Sequence, residues 1–142
     1  MRIAYQAFFD PADEGGFCVT FPDLPGAITE GDSWEEAIFN AEEVLNAILT
    51  VTMEKGMEIP TPKEYEKGVW IYPNPQVQAA LLVRFARDDR SLADLARALE
   101  TSWPAAKRLE DPKNSPTIKQ LARAAKVLGK RLVLSFESVE KN

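Results

Sequence analysis

The chain has no histidine and a single cysteine, Cys18. Without imidazole there is no His-based triad, no imidazole general base and no His-containing zinc site. One thiol builds neither a structural zinc site nor a disulfide framework. The glycine patterns that cradle phosphates, GxGxxG and the P-loop, do not occur. No run approaches the roughly eighteen apolar residues of a membrane span. The start, MRIAYQAFFD, lacks the apolar core and cleavage site of a signal peptide, so a cytoplasmic protein is expected. Cys18 sits in the apolar run GFCVTF, which predicts a buried small hydrophobe rather than a reactive thiol. No catalytic residue, metal or cofactor is expected.

What is present is a packed-core composition with a charge split. Hydrophobic residues make up 45% of 142, enough for one ordinary domain or two small ones. Residues 1–75 carry 4 Lys+Arg against 14 Asp+Glu, a net of −10; residues 76–142 carry 13 against 8, a net of +5. Such a split predicts two domains with different partners, the acidic one for a basic protein and the basic one for phosphates. The prolines of YPNPQ, 72–76, mark the boundary, giving domains 1–73 and 74–142.

The first half reads β-β-β-α-β. Ile3, Tyr5, Ala7 and Phe9 alternate with Ala4, Gln6 and Phe8, the pattern of a strand. PADEGG (11–16) is turn chemistry, and 16–21 returns as a second strand. The kinked loop PDLPG (22–26) leads to a third strand over 27–30. Ser33 and Glu36 then form a capping-box pattern, followed by Trp34, Ala37, Ile38, Ala41, Val44, Leu45, Ile48 and Leu49 at helical spacing. Gly56 suits the helix stop, and VWIY (69–72) reads as a fourth strand.

The run FPDLPGAITEGDSWEEAIFNAEEVL resembles the signature of HicB-family antitoxins, over about residues 3–72. The resemblance implies a truncated RNase H-like module whose usual partner is HicA, a small basic RNA-cleaving toxin. On that footing the loop forms a rigid docking surface in which Asp23, Leu24, Pro25, Glu30 and Asp32 meet the toxin. The prolines fix the backbone before binding and so lower its ordering cost. The RNase H-like expectation also raises a nuclease, but Asp10, Asp23 and Asp32 show no spacing that gathers them on a metal ion.

The second half predicts helices and one last strand. Val77, Ala80, Leu81 and Phe85 share a face over 76–87, with Arg84 on the same stripe. Ser91 with Asp94 caps a second helix, Ser102 a third, and Thr117 with Gln120 a fourth whose face is Ile118, Leu121, Ala122, Ala125 and Leu128, closed by Gly129. RLVLSF (131–136) alternates as a terminal strand. The string LADLARALETSWPAAKRLEDPKNSPTIKQLARAAKVLGKRL is similar to the Cro/repressor-like (XRE-type) helix-turn-helix family. That resemblance makes 103–110 the recognition helix. Arg108 would read a guanine edge, Trp103 and Pro104 would lie at the groove-facing start, and Lys107, Lys113, Ser91 and Ser102 would sit near phosphates. Two departures stand out: Glu100 where the turn usually holds glycine, and the carboxylates of Glu110 and Asp111 near expected phosphates.

The expected fold class is therefore α+β: a β-β-β-α-β partial RNase H-like domain, then an all-α helix-turn-helix domain with a C-terminal β-strand. The expected function is that of an antitoxin that occludes a HicA-like toxin and represses its own operon, without catalysis. The alternative is an orphan transcriptional regulator. An unmated strand edge predicts a homodimer, or a higher even oligomer, on a palindromic operator.

Overall fold

A computed structural model describes residues 1–139. The elements are β1 (Tyr5–Pro11), β2 (Phe17–Thr20), β3 (Ile28–Gly31), α1 (Trp34–Glu54), β4 (Val69–Ile71), α2 (Pro75–Arg87), α3 (Leu92–Ala98), α4 (Trp103–Arg108) and α5 (Ile118–Val127). The chain divides into two compact units, Met1–Val77 and the residues from Gln78 onward, and the division falls within α2.

The first unit is one antiparallel sheet of order β3-β2-β1-β4 with α1 laid on one face. The side-chain alternation of β1 decides which face is which. Phe9 stacks on Trp34 of α1, and Phe17, on the neighbouring strand, meets the same ring edge-on. Val19 lies opposite Phe9 and is fully buried on that side. From α1, Ala37, Ala41, Leu45, Leu49 and Met53 recur every four residues and are buried. Truncating a buried leucine such as Leu45 to alanine would cost about 2–5 kcal/mol. Ser33 caps α1 by accepting from the Glu36 N–H at 3.1 Å, the hydroxyl half of the expected box. The helix ends in a Schellman closure: Gly56 N–H reaches Met53 O and Met57 N–H reaches Thr52 O, with Gly56 at φ 66°.

The opposite face is covered at one end and open at the other. Residues 65–68 lie over it: Tyr65 N–H donates to Gln6 Oε1, Gln6 Nε2 donates to Gly68 O at 3.4 Å, and the Tyr65 ring meets Phe8 edge-on. Tyr5, on the α1 side with Phe9, donates through Oη to Pro60 O at 2.7 Å. Gln6, the buried polar residue of the face under Tyr65, is thus satisfied by backbone. Cys18 lies on this same face, beside Asp10 and Glu30, where the cover does not reach, and it is exposed. The expectation of a buried thiol fails because an apolar run does not reveal which strand face is packed.

In the second unit, Val83, Leu95, Ala96, Leu99, Ala106, Ala124 and Leu128 form one core, flanked by Leu92, Leu109, Leu121 and Val127. The expected stripe of α5 is therefore turned: Ala124 is its buried centre, while Ile118 and Ala122 are exposed. On α2 the expected Val77, Ala80 and Leu81 are buried, as are Ala79 and Val83, and Val83, next to Arg84, joins this core. The capping boxes of Ser91 with Asp94 and Thr117 with Gln120 are complete. The expected C-terminal strand does not form: residues 131–139 carry no strand or helix. A strand exists only through ladder bonds to a neighbour, and the helical core offers no edge to pair with.

Candidate functional site

Two surfaces carry the residues singled out by sequence, one on each unit. On the second unit the surface is built by α3, the turn after it, and α4. The turn is a Schellman closure in which Glu100 N–H reaches Arg97 O and Thr101 N–H reaches Ala96 O. Glu100 takes the left-handed position, φ 55°, that glycine occupies after α1 and α5. For an L-residue this costs about 1 kcal/mol. A residue of α5 offsets it: Arg123 Nη2 donates to Leu99 O at 2.8 Å and lies 3.8 Å from the Glu100 carboxylate. The arginine thereby supplies charge and a donor at a helix C-terminus. The sequence gives no signal of this contact across 24 residues.

Next, Ser102 caps α4 by accepting from Ala105 N–H at 3.2 Å, with Pro104 in the first turn where no amide is needed. Ala106 anchors the helix in the core. Trp103, Pro104, Lys107 and Arg108 occupy the outward side and are exposed. Trp103 is 47% exposed, and the Lys107 ammonium sits 5.1 Å from its ring centroid. Asn114 Nδ2 donates to Arg108 O at 3.0 Å and closes the helix. Four of the seven residues expected at DNA are thus gathered on one short helix, with Ser102 at its start. Ser91 caps α3, and Lys113 lies in the loop after α4, its backbone N–H on Asp111 Oδ1.

The expected carboxylate conflict at the end of this helix resolves for Glu110. Its two oxygens accept from Arg87 Nε at 2.6 Å and Nη2 at 2.9 Å, and the side chain is nearly buried. This hydrogen bond, above all, raises the Arg87 pKa and keeps the guanidinium charged. Glu110 is therefore a neutralised structural group, tied to α2.

On the first unit, the Pro–Gly loop proves to be held from within. Phe21, Leu24 and Ala27 are buried and joined by the backbone bonds Leu24 N to Phe21 O, Ala27 N to Leu24 O and Phe21 N to Ala27 O. Asp23 Oδ2 accepts from Lys63 N–H at 2.9 Å, and Oδ1 accepts from Tyr65 Oη. That bond, first of all, raises the Tyr65 pKa. Leu24 and Asp23 therefore shape the loop, whereas Pro25, Glu30 and Asp32 are exposed. The sequence places Asp23 next to neither of its partners, which lie 40 and 42 residues away.

The acidic surface extends beyond that loop. Glu35, Glu36, Glu42 and Glu43 stand on the exposed side of α1 around the exposed Phe39. Phe39, Glu42, Glu43 and Asn46 line a shallow groove with Tyr72 and Pro73. Partial burial, and then the neighbouring Glu43, push the Glu42 carboxyl above its ordinary range. Among the described residues no group of three or more Asp, Glu or Cys side chains gathers to hold a metal ion. No helix among them is long and apolar enough to cross a membrane.

A small sheet carrying one long helix with exposed carboxylates is followed by a unit of short capped helices. Comparison with known proteins gives the chain's class. Residues 5–107, from β1 into α4, match the family described as HicB_like antitoxin of bacterial toxin-antitoxin system. Antitoxin HicB 2 of Photorhabdus laumondii is 36% identical over 123 residues, covering 86% of this chain and 88% of that protein. Antitoxin HicB 1 of the same organism is 28% identical over 137 residues, covering 96% and 88%. Antitoxin HicB of Escherichia coli K12 is 29% identical over 135 residues, covering 93% and 98%. The chain belongs to the HicB-like antitoxin family.

Proposed function

We propose that this antitoxin neutralises a small, basic, RNA-cleaving HicA-like toxin by occlusion and represses its own operon by binding operator DNA. In this reading the first unit is a truncated RNase H-like module that acts as a binding surface without catalysis. The second unit is a helix-turn-helix of the Cro/repressor type, with α3 as its first helix and α4 as its recognition helix, and the protein works in the cytoplasm.

The observation that carries the reading is the division of charge between the two halves of the chain, which correspond closely to its two compact units. The acidic half, net −10, exposes Asp32, Glu30 and Pro25 beside the loop and a carboxylate row along α1. Such a surface attracts a cationic protein and repels nucleic acid. The half with net +5 exposes Trp103, Pro104, Lys107 and Arg108 on one short helix. Arg108 would read a guanine edge, and Lys107, Lys113, Ser91 and Ser102 would contact phosphates. A homodimer would present two copies of α4 to a palindromic operator with half-sites about one helical turn apart.

Recovery of the tagged protein from its host, with identification of what co-purifies, tests the first half of this reading. A small, basic, stoichiometric protein is the expected result. Its absence, with a DNA fragment retained, would leave an orphan transcriptional regulator.

A further inference from the structure

The sheet of the first unit has two sides, and α1 is laid on one of them. Strand register aligns the side chains of the other side into rows. Phe8 of β1, Thr20 of β2 and Ile28 of β3 form one row, and Asp10, Cys18 and Glu30 form the next. Neighbours within a row lie about 4.5–5.5 Å apart. Tyr65 meets Phe8 at the near end. Beyond it Ile28 is 65% exposed, and Asp10, Cys18 and Glu30 are all exposed. An antiparallel sheet that faces water on one side is normally polar there. Here Phe8, Cys18 and Ile28 share that side with two carboxylates.

No lysine or arginine occurs from residue 3 to residue 54, so β1, β2, β3 and α1 supply no cation. Asp13 and Glu14, exposed in the turn between β1 and β2, continue the acidic end of the face. On this side Arg2 sits over the Trp70 ring, 4.8 Å from its centroid, and Trp70 lies opposite Gln6 at the covered end. The surface is fixed in advance: Asn40 Nδ2 of α1 donates to Glu30 O at 2.7 Å, and the strand ladders hold the rows in register. A partner therefore orders little backbone on seating. The Pro–Gly loop adjoins the face. Ile28 follows it directly, and Asp23 accepts from the hydroxyl of Tyr65, whose ring meets Phe8.

We propose that this side of the sheet, centred on Ile28 and Cys18, is where the basic toxin seats. Phe8, Cys18 and Ile28 meet apolar surface of the toxin, and Asp10 and Glu30 pair with its lysine or arginine side chains. The identity of the partner rests on the antitoxin reading, and the choice of side goes beyond it. The outer side of α1, with Glu35 and Glu43, faces away from these rows, so one rigid surface does not contact both. Its exposed large apolar side chains, Phe39 and Val51, stand about 18 Å apart along the helix, as single residues. The carboxylates of α1 then attract the toxin at long range without touching it.

The test uses the full chain, alone and in complex with the small basic protein that co-purifies with it. Cys18 is the single cysteine and is exposed, so N-ethylmaleimide labels one site, read from the intact mass of this chain. Labelling should slow by about tenfold or more in the complex, because the centre of an interface excludes solvent. Asp10→Lys and Glu43→Lys change the net charge equally on opposite sides of the unit, so both lose the same long-range attraction. Asp10→Lys should weaken binding about tenfold more than Glu43→Lys, because it also sets like charge against like at the contact. Equal labelling rates in the free chain and the complex would overturn the proposal and leave the antitoxin reading standing. A loss for Glu43→Lys as large as that for Asp10→Lys would do the same and move the contact to α1. Recovery of no basic protein, known before any labelling, would overturn the antitoxin reading and the docking face with it.

Discussion

Replacing Glu110 by glutamine removes one half of the ion pair that ties α2 to the residue two places beyond α4. The carboxylate accepts two bonds from Arg87, at 2.6 and 2.9 Å, and the side chains of arginine and glutamate are 18% and 9% exposed. Arg87 also donates through Nη1 to Arg90 O at 2.6 Å. After Glu110→Gln the guanidinium stays charged with that carbonyl and one weaker acceptor. Breaking a buried pair on one side costs about 3–5 kcal/mol. The residual exposure of Arg87 lets water recover part of this, so about 2–3 kcal/mol is expected. Because the chain has two units, a single global transition is a poor readout. Hydrogen exchange resolves the units: amides of α3, α4 and α5 should lose protection while those of β1 and β2 keep theirs. Removing both charges together, Arg87→Met with Glu110→Leu, should cost about 1 kcal/mol or less. A change under about 0.5 kcal/mol for Glu110→Gln, the size of an exposed pair, would refute the structural role. So would a double variant as damaged as the sum of the singles.

Further expectations concern the exposed helix, a glycine and a cap. Arg108→Ala should cost about 1–3 kcal/mol of operator affinity and relax specificity at one base position; a uniform loss across all sequences would make it a phosphate contact. Gly31→Ala should destabilise the first unit by about 3 kcal/mol in denaturant titration, because an added Cβ would overlap the backbone of Ala37 and Glu36. A near-neutral Gly31→Ala would mean that β3 and α1 can separate freely. Asp94 is held below the ordinary aspartate range, first by the Ser91 N–H and then by its hydroxyl. Its folded pKa being the lower one, its contribution is full above the unfolded value of about 4 and is lost as pH falls through the folded one. Loss of α3 amide protection in that acid range should therefore vanish from the pH profile of Asp94→Asn, and an unchanged profile would contradict the cap.

Element types and the local punctuation were legible from sequence because they depend on neighbours a few residues apart. Ser33, Ser91, Ser102 and Thr117 all cap helices, since a hydroxyl reaches amides three residues on. Gly56 and Gly129 close helices because their φ is left-handed, and the spacing of Ala37, Ala41, Leu45 and Leu49 fixes the inner side of α1. The charge split is a property of composition, and the HicB-like signature lies in a contiguous run. Pro104 and Arg108 on one exposed side of α4 follow from helical period once Ala106 is taken as the anchor.

Only the tertiary structure decided which side each strand and each partner would face. Cys18 is exposed because Tyr65 and Gly68 cover one end of that sheet face and stop short of it. Asp23, half-buried, is held in place because the Lys63 backbone and the Tyr65 hydroxyl arrive from 40 and 42 residues away, while Leu24 is buried within the loop. Glu110 is neutralised by Arg87 and Glu100 is tolerated because Arg123 caps the carbonyl before it. The alternation of residues 131–136 is as strand-like as that of β1, yet among the described residues only β1 finds strand neighbours. Periodicity records what a residue can do, whereas a hydrogen-bond ladder, an ion pair or a covered face needs a second segment. Which segment arrives is settled by the packing of the whole chain.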